Sequence, residues 1–205
     1  AEQVENSILN LENHLKYLGY YNSDVRSEIS VKRRKVNVTY EVTLGKRYPI
    51  KEILYSLPPD SEFTDCFLKD TSMMNVKVGD FLSESALETE TERSSAAMRN
   101  QGFYSFNKNY YFFEADTLSI PDSAILHLTV NEYTRNESPK EAESIRKFYF
   151  NDVTISYPKT LNIREKVLRN LNTIVPGEAY SSNLVNTTYN RLSALRVFNS
   201  VNIGM

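Results

Sequence analysis

A short pattern recurs at three places in this chain, and each copy closes an amphipathic stretch and leads into a run with strand character. The copies are residues 15–21 (LKYLGYY), 98–105 (MRNQGFYS) and 195–201 (LRVFNSV), the last without a glycine. We predict that Gly19 and Gly102 are structural caps that end their helices with positive φ. A pattern that returns after tens of residues indicates an array of one small supersecondary unit, which is more often a scaffold than a catalyst.

Apolar spacing predicts which segments form helices and which form strands. Val4, Ile8 and Leu11 begin a series at spacings of three and four that continues to Leu18, as on one face of a helix. Residues 36–44 alternate strictly, as a half-buried strand does. We expect further helical segments at 63–69, 83–101, 163–171 and 182–195, and further strands at 20–31, 47–53, 103–115, 125–133 and 198–203.

The start of the repeated unit also occurs twice. Residues 47–53 (RYPIKEI) match residues 147–153 (KFYFNDV) in character at each position, and the connector at 78–82 (VGDFL) is similar to the one at 175–180 (VPGEAY). One full copy then reads strand, helix, helix, strand, strand. We predict a partial unit over 1–45, a complete unit over 46–134 and a partial unit over 145–205, truncated after its second strand.

This unit resembles the POTRA (polypeptide-transport-associated) domain. The resemblance covers essentially the whole chain and is carried by the helix ends LGYY (18–21) and QGFY (101–104), the strand end GKRY (45–48) and the connector VPGE (175–178). Arrays of POTRA units precede the membrane barrel in the outer-membrane assembly and translocation superfamily, which includes BamA-like and TamA-like proteins. The resemblance implies an α+β fold of tandem βααββ units, each a three-stranded mixed sheet with two helices on one face.

In that family the second strand of each unit lies at the sheet edge, which implies edge strands at 21–31, 104–115 and 198–203. An edge strand presents unpaired N–H and C=O groups that can accept another strand. The aromatic run at 109–113 (NYYFF) forms either a face covered by neighbouring structure or an exposed partner-binding surface. The candidate protein-binding residues are Tyr104, Phe106, Tyr110, Tyr111, Phe112 and Phe113.

Reactive side chains do not form a pattern that catalysis requires. His14 and His127 are the only histidines and Cys66 is the only cysteine, and none of them has a partner at ligand or base spacing. We therefore expect no catalytic, cofactor-binding or metal-binding residues, and a protein that is not an enzyme. Glu84, Glu88 and Glu92 lie at spacings of four on one face of the helix at 83–101, with Glu90 nearby. We interpret these carboxylates as a solvated face rather than a paired-carboxylate site.

Composition and charge limit the classes of molecule that this protein is expected to bind. A formal net charge of -2 gives no reason to expect nucleic acid, which basic faces bind. The basic run at 32–35 (KRRK) is either a solvated turn or a contact for lipid headgroups. No apolar run approaches the roughly 20 residues of a membrane-spanning helix. Residues 135–144 are polar, contain one proline and are predicted to be a linker that flexes.

The sequence thus predicts a non-enzymatic, periplasmic POTRA region of a Gram-negative outer-membrane barrel protein. The resemblance implies that it assists assembly or translocation of outer-membrane proteins by strand addition and partner docking. Its partners would be unfolded outer-membrane proteins or peptides and accessory envelope proteins, without a cofactor. The chain opens directly on a helical pattern, so we expect a piece of a longer protein, anchored through a C-terminal barrel. The alternatives are the POTRA region of a two-partner secretion transporter and an envelope scaffold module.

Overall fold

The computed structural model describes residues 2–59, 61–131, 145–158 and 163–204. In this part of the chain the fold is α+β. The helices are α1 (Glu2–Tyr17), α2 (Glu62–Asp70), α3 (Glu84–Arg99), α4 (Glu165–Leu171) and α5 (Ser182–Ser193). The strands are β1 (Asp24–Lys32), β2 (Lys35–Thr43), β3 (Ile50–Ser56), β4 (Tyr111–Asp116) and β5 (Ala124–Val130). The predicted linker at 135–144 lies within the span that is not described.

Packing groups the chain into two compact units. The first comprises Ala1–Leu57, Met73–Glu92 and Tyr111–Val130, and the second comprises Pro58–Ser72, Arg93–Tyr110 and Asn131–Met205. Each unit contains one junction between consecutive repeats. In the first unit the helix end at Gly19 meets the strand start at 47–53 and the connector at 78–82, and in the second unit the helix end at Gly102 meets the strand start at 147–153 and the connector at 175–180. Packing therefore follows these junctions rather than the repeats read from the sequence, and the domain limits 1–45, 46–134 and 145–205 stay a prediction.

The first unit begins with α1 and a long hairpin. Strands β1 and β2 pair antiparallel over their whole length, which confirms the predicted hairpin. The turn between them places Arg33 and Arg34 at φ 50° and 63°, the left-handed conformations of the tight turn that matches strand twist. Helix α1 is tied to the hairpin by Glu12, whose Oε1 accepts a hydrogen bond from the Val25 amide at 3.3 Å.

The three-stranded sheet of the first unit has the order β3-β5-β4. Strand β5 lies in the centre, parallel to β3 and antiparallel to β4. Alternate residues of β5 are fully buried, because one sheet face packs on the core while the other faces outward. The core beneath this sheet is formed by Ile50, Val76, Leu82, Ala124 and Leu126.

The second unit is held together by an aromatic cluster on α2. The ring of Phe63 lies 4.7 Å from that of Phe106 and 5.2 Å from that of Phe103, both measured between centroids. At the other end of α2, Asp70 accepts a hydrogen bond from Arg93 at 2.6 Å. All three rings are almost completely buried, so burial of aromatic area supplies much of the stability of this unit.

The strand start and its connector repeat with the same hydrogen bonds. The Ile50 amide donates to the Asp80 carbonyl at 2.8 Å, and the Phe150 amide donates to the Glu178 carbonyl at 2.9 Å. The sequence match between 47–53 and 147–153 thus corresponds to equal backbone geometry. Each copy also contains one isolated antiparallel bridge, Pro49 with Phe81 and Tyr149 with Ala179.

A buried acceptor supports the chain before each connector. The Glu90 side chain is 2% exposed, and its Oε2 accepts a hydrogen bond from the Asn75 amide at 2.8 Å. The buried Thr188 takes the same place in the second unit, where its Oγ1 accepts from the Thr173 amide at 2.9 Å. Glu90 is therefore not part of a solvated face, because its side chain is buried and its carboxylate is paired with a backbone donor.

The recurrent helix ends share one backbone conformation. Gly19 and Gly102 have φ of 91° and 109°, in the left-handed region that favours glycine after a helix. At the third helix end Arg196 takes this place with φ 54°. A left-handed residue thus ends each of these helices, although the third copy of the pattern has no glycine there.

The third repeat differs from its predicted strands. Residues 147–153 form only one bridge, and residues 198–203 form no strand. In the middle repeat both outer strands pair with β5, and the described part of the third repeat contains no counterpart of β5. Side chains from both segments instead line one cavity of about 710 Å³.

We expect Glu90→Ala to lower the free energy of unfolding by about 1–3 kcal/mol, because it removes the hydrogen bond that the buried Glu90 carboxylate accepts from the Asn75 amide. Glu90→Gln keeps an acceptor oxygen and should cost less. Urea denaturation of the three proteins measures both effects, and Glu92→Ala, at an exposed position of the same helix, is the matched control. A cost for Glu90→Ala no larger than that of the control would contradict the supporting role.

Alanine should be tolerated less well at Gly19 than at Gly102. Both changes force a side chain into left-handed backbone, at about 1 kcal/mol or more. At Gly19 the added Cβ would also overlap the backbone oxygen of Leu82, whereas at Gly102 it meets the movable side chain of Lys147. Thermal unfolding midpoints of the two variants check this, and an equal decrease would argue against the Leu82 contact.

Candidate protein-binding edge

Strand β4 is an outer strand of the three-stranded sheet. It pairs with β5 from Tyr111 opposite Val130 to Asp116 opposite Ile125, and no described strand pairs with its other side. The sequence analysis placed the second strand of this repeat at an edge, and the strand order agrees. An open strand edge can accept another strand through its backbone.

The antiparallel alternation decides which backbone groups point outward. The Asn131 amide donates to the Tyr110 carbonyl at 2.9 Å, so the residues paired by hydrogen bonds with β5 are every second one from Tyr110. By this alternation Phe112 and Glu114 point their N–H and C=O groups at β5. The N–H and C=O groups of Phe113 and Ala115 therefore point away from the sheet, towards the open side.

The two faces of β4 differ in chemistry. Tyr111 and Phe113 lie on the core face, with ring centroids 6.1 Å apart and nearly parallel planes. Phe113 packs against the core of the first unit. Phe112 lies on the opposite face, is 41% exposed and stands across from Thr129. An added strand would therefore meet apolar rings on one face and an exposed ring on the other.

A hydrogen-bonded turn ends β4. The Asp116 carboxylate accepts hydrogen bonds from the amides of Leu118 at 2.8 Å and Ser119 at 3.0 Å. Hydrogen bonding by Ser119, and then by the Leu118 amide, lowers the pKa of the Asp116 carboxyl below its ordinary value. This contribution to stability is present above the unfolded-state pKa and is lost as the pH falls through the folded-state pKa.

Three of the predicted edge residues lie outside β4. Phe106 is 1% exposed and packs on Phe63, and Tyr110 is 3% exposed in a 3₁₀ turn. Tyr104 is 46% exposed but lies at the junction in the second unit, where its ring centroid is 4.9 Å from that of Tyr180. The predicted strand over 104–115 is therefore wrong before Tyr111, because burial of aromatic rings turns that segment inward.

The opposite edge of the sheet is covered at its start. Segment 79–82 runs antiparallel to residues 48–50, and Leu82 donates its amide to the Tyr48 carbonyl at 2.9 Å. Pro49, which has no N–H, stands beside this cover and removes one donor. The start of β3 is thus protected, which favours β4 as the side that accepts a partner.

Other reactive groups do not form a second site in the part of the chain that is described. Cys66 is a free, half-buried cysteine. Across these residues there is no group of three or more His, Cys, Asp or Glu placed to hold a metal ion. None of the described helices is long and apolar enough to cross a membrane.

Comparison with known proteins identifies the architecture. No family model and no curated protein matches the chain. POTRA domains 3–5 of BamA from Haemophilus influenzae match with a TM-score of 0.52 at 16% identity, over 98% of this chain and 72% of that one. The chain has the fold of a POTRA array. The expected α+β architecture is confirmed, with one complete three-stranded mixed sheet among the described residues.

Two further POTRA structures match less closely. BamA from Haemophilus ducreyi lacking POTRA domains 1–3 has a TM-score of 0.40 at 18% identity, over 66% of this chain and 24% of that one. POTRA domains 1–3 of the periplasmic domain of Omp85 from Anabaena have a TM-score of 0.32 at 11% identity, over 98% of this chain and 73% of that one.

Sequence reasoning missed one residue that matters at this edge. Ala115 is exposed, and its amide points outward, yet a small side chain at the end of an aromatic run gave no signal by composition. The register with β5 reveals its place. Which amides point outward follows from the hydrogen bond between the Asn131 amide and the Tyr110 carbonyl, a contact that the sequence does not show.

Proposed function

We propose that this chain is a periplasmic POTRA region of an outer-membrane barrel protein, and that it assists outer-membrane protein assembly or translocation by accepting strands at β4. The observation that carries the proposal is the outer position of β4, with the backbone groups of Phe113 and Ala115 directed away from β5. The POTRA fold supports the setting, because the sequence resemblance connects such arrays with a membrane barrel.

The clients that fit this edge are extended segments with alternating side chains. Backbone hydrogen bonds supply affinity for almost any sequence, and the two faces of β4 add a preference for strands that are apolar on one side. Strands of outer-membrane barrels have this alternation. Attachment through a C-terminal barrel and docking of accessory envelope proteins belong to the same proposal.

Tandem repetition favours this function over a single-unit envelope scaffold. Hydrogen bonds of the strand start and connector occur in both compact units, which supports more than one POTRA copy in the chain. An array offers a client several binding positions in succession, so weak binding at each edge suffices for retention.

Ala115→Pro should abolish strand addition while sparing the fold, since it removes only an outward N–H. Glu114→Pro is the matched control, because it removes an inward N–H and should lower the unfolding midpoint. The probe is a nine-residue peptide that alternates valine and threonine. NMR titration of the wild-type protein should shift the amides of β4, and Ala115→Pro should show no such shifts.

A change on the peptide provides a test that needs no protein variant. Methylating the amides along one edge of the peptide removes its donors to β4 without changing its side chains, so binding should be lost. Shifts that map to the helices, or binding that survives both Ala115→Pro and peptide methylation, would show that backbone pairing at β4 is not the mechanism.

A further inference from the structure

Three carboxylates lie on the outward face of the sheet. On β5, the residues of this face are those that alternate with the buried ones. Their pairing partners on β3 and β4 belong to the same face. Glu114 lies opposite His127 on this face, and Asp116 lies opposite Ile125. On the far side of β5, Glu52 pairs with Ile125 as well. The paired positions of this face thus contain three carboxylates and no lysine or arginine. Lys51 is exposed and unpaired at the β-bulge beside Glu52, on the side of β5 away from β4.

Glu114 holds the position nearest to an incoming strand. Phe113 and Ala115 direct their backbone groups outward, so an added antiparallel strand would form its hydrogen-bonded pairs there. Glu114 then falls in the pair without hydrogen bonds, where Cα atoms are about 4.5 Å apart and side chains are closest. The residue opposite Glu114 therefore contacts the carboxylate directly.

The core face sets the register of such a strand. Tyr111 and Phe113 present stacked rings there, and an incoming strand that places apolar side chains beside them extends the buried face. A slip by one residue would move these side chains to the solvent face, which burial disfavours. The polar side chains of an alternating strand are thereby directed to the face that holds Glu114.

We propose that the β4 edge selects alternating strands whose polar positions are basic, with lysine or arginine opposite Glu114. This inference rests on the proposed function and names the chemical class of its client. A cation opposite Glu114 gains a cross-strand ion pair, and an anion there is repelled by Glu114 and by Asp116. The exposed ring of Phe112, two positions before Glu114, offers a face over which a second cation can lie.

The test compares three nine-residue peptides that alternate valine with lysine, threonine or glutamate. At low salt we expect the lysine peptide to bind about threefold or more tightly than the threonine peptide, and the glutamate peptide to bind more weakly again. The difference should shrink at about 0.5 M salt, because exposed charges are screened. Glu114→Lys should reverse the order of the lysine and glutamate peptides.

Glu92→Lys is the matched control, since it makes the same charge change at an exposed position of helix α3, away from any strand edge. It should leave the order of the peptides unchanged. If all three peptides bind equally and Ala115→Pro abolishes their binding, the charge preference is overturned and strand addition is supported. The inference would be overturned if lysine-peptide binding survives Ala115→Pro, or if Glu92→Lys weakens it as much as Glu114→Lys does. Either result would show general attraction to an acidic protein.

Discussion

The ladder between β5 and its two neighbours is the interaction on which the rest of the sheet depends. Strand β5 alone pairs with both β3 and β4, and its buried alternate side chains form part of the core. Because β5 uses both its edges, each outer strand keeps one side without a partner strand. The start of β3 is covered by segment 79–82, whereas β4 is not covered by any described strand. The open edge is therefore a direct consequence of which strand lies in the centre.

Local sequence patterns predicted the parts of the fold that local physics determines. Strict alternation at 36–44 identified β2, and the glycines at positions 19 and 102 marked the helix ends where φ is positive. The matching strand starts at 47–53 and 147–153 form the same bridge with the connectors that follow. The strand and the helix ends depend on residues that are close together in the chain. The bridge between strand start and connector could be inferred because both segments occur twice in the sequence.

The remaining differences arise from burial that periodicity does not show. Phe106 and Tyr110 alternate like strand residues, yet they turn inward because the Phe106 ring packs on Phe63 of α2 and the Tyr110 ring packs on Phe106. Glu90 resembles its exposed neighbours on α3 in sequence, but its carboxylate accepts a hydrogen bond from the amide of Asn75, 15 residues earlier. Arg196 is left-handed without being glycine, so composition alone could not identify that helix end. The first two cases depend on contacts between segments that are separated in the sequence.

An edge that accepts clients must also avoid pairing with a second copy of itself. Strand β4 is only 6 residues long, and both of its charged residues are acidic, so two β4 strands brought together repel each other. The same carboxylates attract a strand that carries cations. One set of charges thus limits self-association and favours a class of client, while the outward groups of Phe113 and Ala115 supply pairing that any backbone can satisfy. Protection against self-pairing and preference for basic client strands are therefore two consequences of the same carboxylates.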